Sequence, residues 1–188
     1  HDRYGLYYTA LAQLLLAVVY HQKDQALQFV SQCDFYRDGG PGLAHQAMSR
    51  WLGALVYLDP AQMVSDEQLS AAAHALDELE QTAQLCPLPW HCRTQLLRAE
   101  LARHNGRQSE ALGLYEQALT LATDNNLWLD QFLICRRRAM VASGDGWMWQ
   151  QRAQQALRQW RSAPAPVNRL SDPRGLLQAT AHLTSATS

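Results

Sequence analysis

The stretch CPLPWHC places Cys86, His91 and Cys92 within seven positions, and thiolates and imidazoles are the ordinary ligands of zinc. A structural zinc site needs four ligands. Only three lie here, at atypical spacing, so a loop and helix start with protein-packed thiols is the expected reading and no metal is expected. The run CRRR ends in Arg136, Arg137 and Arg138. Successive helical positions point about 100° apart, so the three guanidiniums cannot share one phosphate-binding face. Packing against carboxylates and solvent is expected of them, and no nucleic-acid contact. The histidines form no HExxH pair, and no Ser, His and Asp set has the logic of a triad. No GxxxxGK[ST] phosphate loop is present, and DGGPG and SGDG read as turns. The expectation is therefore no catalytic residue and no cofactor.

Composition narrows the class further. The chain has 188 residues, a formal net charge of -1 and 47% apolar residues. That length supports a core without metal or disulfides, and the near-zero charge gives no general attraction to nucleic acid or anionic membranes. Four cysteines, Cys33, Cys86, Cys92 and Cys135, are too few for a disulfide framework and fit reduced thiols in a cytoplasmic protein. The apolar run LAQLLLAVVY is about half the length needed to span a bilayer, so it reads as a buried helix.

The elements that would position these side chains are all helical. In SDEQLSAAAHALDELEQTAQLC, apolar residues recur at steps of three and four through Leu69, Ala73, Leu76, Leu79, Ala83 and Cys86. Ser65 and Gln68 form a capping-box pattern at its start. No segment alternates with period two. The pattern predicts eight helices, at about 4–21, 23–36, 43–58, 66–85, 90–104, 107–123, 127–143 and 146–161. RDGGPG, the segment around Pro60, NGR and SGDG supply the breaks. Residues 1–161 are expected to form one helical-repeat domain, 162–172 a linker, and 173–188 a short helix or a linker to a following module. Short turns make adjacent helices antiparallel, and successive pairs suggest a stacked solenoid.

One stretch carries the repeat most clearly. In NGRQSEALGLYEQALTLATDNN, Gly106 is followed by Ala111, Tyr115 and Ala118. Alanines at a helix contact let two backbones approach to the short end of the usual range, and the tyrosine fills the gap to the next pair. This stretch resembles the tetratricopeptide repeat (TPR), whose turn glycine is followed by alanine, aromatic and alanine. Ala26, Val30 and Cys33 resemble a second copy, with His21 at the turn position. In a third, Gly144 is the turn and Ala156 the last small residue, while Trp149 departs from the pattern at the first alanine. The resemblance implies an all-α, TPR-like α-solenoid. It also implies that Arg93, Glu100, Arg103 and His104 lie on the inner face, which binds peptides in that family. Tyr8, Leu11, Leu15, Val18 and Val19 hold the equivalent positions in the first copy, and their apolar character implies a covered face there.

The order of features, including DGGPGLAHQAMSRWLGALVYL and CPLPWHCRTQLLRAELARHNGRQSEALGLYEQALTLATDNNLWLDQFLICRRRAM, is similar to the helical region of large bacterial signalling proteins. These join a STAND-type ATPase to a TPR-like scaffold and then to GAF and histidine kinase, or Ser/Thr kinase, modules. The resemblance implies a non-catalytic interaction or sensor segment of a longer protein. Its partners would be a protein, a peptide or adjoining domains, with a homodimer as a further expectation. Two other classes stay open at this point: an effector- or protein-sensing helical domain of a transcriptional regulator, and a helical enzyme with a buried pocket.

Overall fold

Polar capping and turn chemistry set the helix boundaries in the computed structural model, which describes residues 2–40, 42–61, 63–141 and 144–163. Eight α-helices are found among them: α1 (Arg3–Val19), α2 (Lys23–Phe35), α3 (Leu43–Tyr57), α4 (Asp66–Leu85), α5 (Pro87–His104), α6 (Gln108–Asp124), α7 (Trp128–Val141) and α8 (Gly146–Ser162). No strand occurs among the described residues. The all-α class and the helix count agree with the sequence pattern. Residues 164–188, with most of the expected linker and the expected C-terminal segment, lie outside the described residues.

The expected capping box is formed. Ser65 Oγ accepts the Gln68 N–H at 3.2 Å, and Gln68 Oε1 accepts the Ser65 N–H at 3.1 Å. At the front of α1, Asp2 accepts the Gly5 N–H at 2.9 Å. The α5 segment begins at Pro87, but Leu88 has extended φ and ψ, so regular helix starts at Pro89, close to the expected position.

The helices divide into two compact units, the first ending at Tyr57 and the second running Leu58–Ala163. In the first, α1 packs against α2 and α3, and α2 also packs against α3. Its core holds Tyr7, Leu11, Leu14, Leu15, Trp51, Leu52 and Leu55. Tyr8, Leu11, Leu15, Val18 and Val19 are all buried. A short 3-10 turn, Arg37–Gly39, lies against α1. A Cβ on Gly39 would sit 2.5 Å from the Arg3 carbonyl group, so this close approach admits only glycine. In the second unit each helix from α4 to α8 packs against the next, and α5 also touches α7.

Three turns share one backbone geometry. The chain enters the left-handed region at His21 (φ 58°), Gly106 (φ 74°) and Asn126 (φ 54°). Each of these N–H groups donates to the carbonyl three residues back: Val18 at 3.3 Å, Arg103 at 3.0 Å and Thr123 at 3.1 Å. The following N–H reaches an alanine carbonyl five residues back. These bonds are Gln22 to Ala17 at 2.8 Å, Arg107 to Ala102 at 2.9 Å and Leu127 to Ala122 at 2.9 Å. This is the Schellman arrangement, repeated on buried alanines. His21 thus takes the conformation that glycine would hold. Gly106→Ala is expected to cost about 1–2 kcal/mol, the usual strain of a left-handed non-glycine residue, whereas Asn126→Gly should change stability by less than about 0.5 kcal/mol. Urea unfolding of the two variants checks this, and a Gly106→Ala protein as stable as wild type would contradict it.

Counted from the turn residue, α2, α6 and α8 bury the same positions. These are Ala26, Val30 and Cys33; Ala111, Tyr115 and Ala118; and Trp149, Ala153 and Ala156. In α8 the large and small residues exchange places. Trp149 takes the first small position and Ala153 the aromatic one, so both register and bulk are retained.

Candidate functional site

Two charged residues of α5 lie seven positions apart on one helix face, and α7 repeats the spacing with the opposite charges. Arg93 and Glu100 lie on α5, and Asp130 and Arg137 on α7, each pair separated by 37 positions. Seven residues are close to two helical turns, so both pairs face each other across the α5 and α7 contact.

The first pair is bidentate and buried. Arg93 Nε donates to Asp130 Oδ1 at 2.7 Å and its Nη2 to Oδ2 at 3.3 Å. The guanidinium lies 4.9 Å from the Trp90 ring centre, a cation–π distance. The Cys92 thiol donates to the Pro89 carbonyl at 3.1 Å. Burial first, then the Asp130 carboxylate, holds this thiol well above the ordinary range, so it is a packed and unreactive group.

The second pair belongs to a larger network. Glu100 is fully buried. It accepts the Tyr115 hydroxyl proton at 2.7 Å and the Arg103 guanidinium at 3.0 Å, with Arg137 at 3.5 Å. The Leu58 carbonyl accepts from Arg103 at 2.6 Å and from Arg137 at 3.3 Å. Asp59 lies 4.0 Å from Arg137. Burial and then Glu100 push the Tyr115 hydroxyl far above its ordinary value, so it stays a donor.

The charges of the two rungs run in opposite senses, Arg93 to Asp130 and Glu100 to Arg137. Sliding α7 by two turns would bring Arg93 to Arg137, or Glu100 to Asp130, like against like. Buried pairs add little net stability over apolar packing, and fixing register is their best-attested role. The arrangement fixes the alignment of two helices that are not consecutive in the chain.

The four residues that the repeat resemblance put on an inner peptide-binding face are therefore distributed differently. Arg93 and Glu100 are buried and paired inside the fold, Arg103 is mostly covered and bonded to Glu100 and Leu58, and His104 is exposed. The packing residues Ala111, Tyr115 and Ala118 are buried, with Gly106 at the turn. Sequence reasoning missed Asp130, Asp59 and the Tyr115 hydroxyl. The one available signal was the identical seven-residue spacing of opposite charges in two segments one repeat apart.

The remaining chemistry-bearing residues do not converge. Cys86 is exposed and Cys92 buried, and His91 is exposed. Among the described residues no group of three or more His, Cys, Asp and Glu is placed to hold a metal ion. The three arginines of CRRR diverge as their spacing requires. Arg136 lies 5.9 Å from the Phe132 ring centre, Arg137 joins the buried network, and Arg138 stacks on Trp149 at 4.9 Å, near Glu116 and Asp145. No described helix is long and apolar enough to cross a membrane. No family model matches the chain, and neither a curated protein nor a solved structure matches it.

Burial also sets the alkaline limit. It raises the Cys33 thiol from 9.0 to about 12 and the Cys135 thiol to about 11. It raises the Tyr7 hydroxyl from 10.0 to about 12, and Tyr8 and Tyr115 further. Each folded value lies above the unfolded one, so the native state keeps protons that the unfolded chain releases. The stability these groups hold below pH 9 is lost as pH rises through the folded values, by up to about 1.4 kcal/mol per pH unit for each group. The urea midpoint is expected to be flat from pH 7 to 8.5 and to fall steeply above pH 9. A midpoint unchanged at pH 10.5 would contradict the burial of these groups.

Proposed function

We propose that this chain is a non-catalytic, TPR-like protein-interaction scaffold, a segment of a larger cytoplasmic bacterial signalling protein. In this reading it joins a STAND-type ATPase on one side to a sensor or kinase output module on the other, and relays movement between them. The observation that carries the reading is the pair of charge-reversed rungs between α5 and α7. The charged side chains best placed by type for catalysis are bound to one another across helices, where they resist sliding. A helical stack locked in this way can transmit a displacement at one end to the other.

The repeated Schellman turns and the common register of α2, α6 and α8 support the repeat character on which the reading depends. The test uses the intact parent protein. Glu100→Ala, which weakens the stack, is expected to leave the basal activity of any flanking catalytic module within about twofold of wild type while abolishing its response to signal. An unchanged response would contradict the relay, and turnover of a substrate by the present chain alone would contradict its non-catalytic character.

A further inference from the structure

The first and last helices of the second unit have opposite charge. α4 carries Asp66, Glu67, Asp77, Glu78 and Glu80 and neither lysine nor arginine, while α8 carries Arg152, Arg158 and Arg161 and no carboxylate. Within the unit α4 packs against α5, and α8 against α7, and each leaves an outer stripe exposed. On α4 that stripe runs through Glu67, Ser70, His74, Asp77, Gln81 and Leu85. On α8 it runs through Trp147, Gln151, Gln154, Arg158 and Arg161. Both use steps of three and four, the spacing of a helix seam. Each stripe also has one exposed large apolar residue at one end, Leu85 at 78% and Trp147 at 64% exposure.

From these observations we propose that the α8 stripe docks on the α4 stripe of a second copy of this chain, antiparallel and head to tail. The helical rise decides the direction. With Trp147 on Leu85, Gln151 faces Gln81, four residues along each helix. Arg158 lies about 16 Å from the indole position and Asp77 about 12 Å from Leu85, while Arg161 and Glu67 lie at about 21 and 27 Å. Each arginine then falls within the reach of a long side chain of a carboxylate. A parallel alignment instead sets the indole beside Glu67 and leaves Leu85 without an apolar neighbour.

The two surfaces differ, so the contact is heterologous: successive copies form a ring where the rotation between them closes and an open chain where it does not. A single helix-on-helix contact lies at the small end of protein interfaces, so the association is weak and depends on concentration. Its charged part is exposed and therefore weakened by salt.

Sedimentation velocity of the purified chain tests this, across about 10–300 μM protein in roughly 50 mM and 500 mM salt. The weight-average mass is expected to rise with concentration at low salt and to return towards monomer at high salt. Arg158→Glu with Arg161→Glu, and separately Glu67→Arg with Asp77→Arg, should each weaken association at least tenfold. Mixing the two reversed proteins should restore it, because the acidic α8 of one then meets the basic α4 of the other. The restored mixture also shows that both variants are folded. A wild-type chain that stays monomeric at every concentration overturns the proposal. So does association that survives both reversals, which would place the contact elsewhere, and so does a folded pair of variants, by circular dichroism, that fails to associate on mixing.

Discussion

Glu100→Ala is expected to lower the unfolding free energy by about 3–5 kcal/mol, the range found when one member of a buried ion pair is removed. The carboxylate is fully buried and accepts from Tyr115 and Arg103 while facing Arg137. Its loss leaves a hydroxyl without its acceptor and two guanidiniums without their main counter-charge. Glu100→Gln should cost less, because the amide oxygen can still accept from Tyr115. Removing Arg137 as well, as Glu100→Leu with Arg137→Met, should recover part of the loss, since apolar residues of similar volume can replace a buried pair. Urea unfolding of the variants provides the comparison. A Glu100→Ala cost below about 1 kcal/mol would mean that the network does not hold α5 to α6 and α7.

The second large effect concerns the exchange of bulk in α8. Trp149→Ala is expected to cost about 3–5 kcal/mol through the cavity left by a buried indole. That indole also donates to Asp145 Oδ2 at 3.1 Å and stacks with Arg138 and Arg152, each at 4.9 Å. Ala153→Phe alone should cost about 1–3 kcal/mol by overpacking. Combined, the two changes restore the small-then-aromatic order of Ala111 and Tyr115. The double variant should therefore be more stable than the sum of its parts by at least about 1 kcal/mol. Phenylalanine is the better test residue, because a tyrosine hydroxyl at that position would need a counterpart of Glu100. Strict additivity of the two changes would contradict a shared register for α6 and α8.

Helix number and limits were legible because the breaks carry their own chemistry: Ser65 and Gln68 at a cap, Gly106 in a turn, Pro87 and Pro89 at the start of α5. The buried face of α4 was less so. The expected stripe runs through Leu69, Ala73, Leu76, Leu79, Ala83 and Cys86, but the buried residues are Ala72, Ala75, Leu79, Thr82 and Ala83. Ala73 and Cys86 are exposed, and Leu69 and Leu76 are half-buried. The run SAAAHAL has small apolar residues on several sides of the helix, so periodicity alone does not choose among them. Leucine at the flank and alanine at the centre is what close helix packing selects.

The site was least legible where it depends on tertiary neighbours. Arg93 and Asp130 are 37 residues apart, and nothing local to either marks them as a pair. An inner-face position in a single repeat gives no sign that the next repeat supplies the opposite charge. The same holds for Glu100, whose partners beyond its own helix come from α6 and α7. By contrast, the divergence of Arg136, Arg137 and Arg138 follows from helical geometry alone, and the structure places them on three different neighbours.

The proposed relay between modules of a longer protein is tested first by the sequence of the coding region on both sides of the chain. An ATPase module with a phosphate loop is expected upstream and a sensor or kinase module downstream. Start and stop codons at the present ends would contradict it.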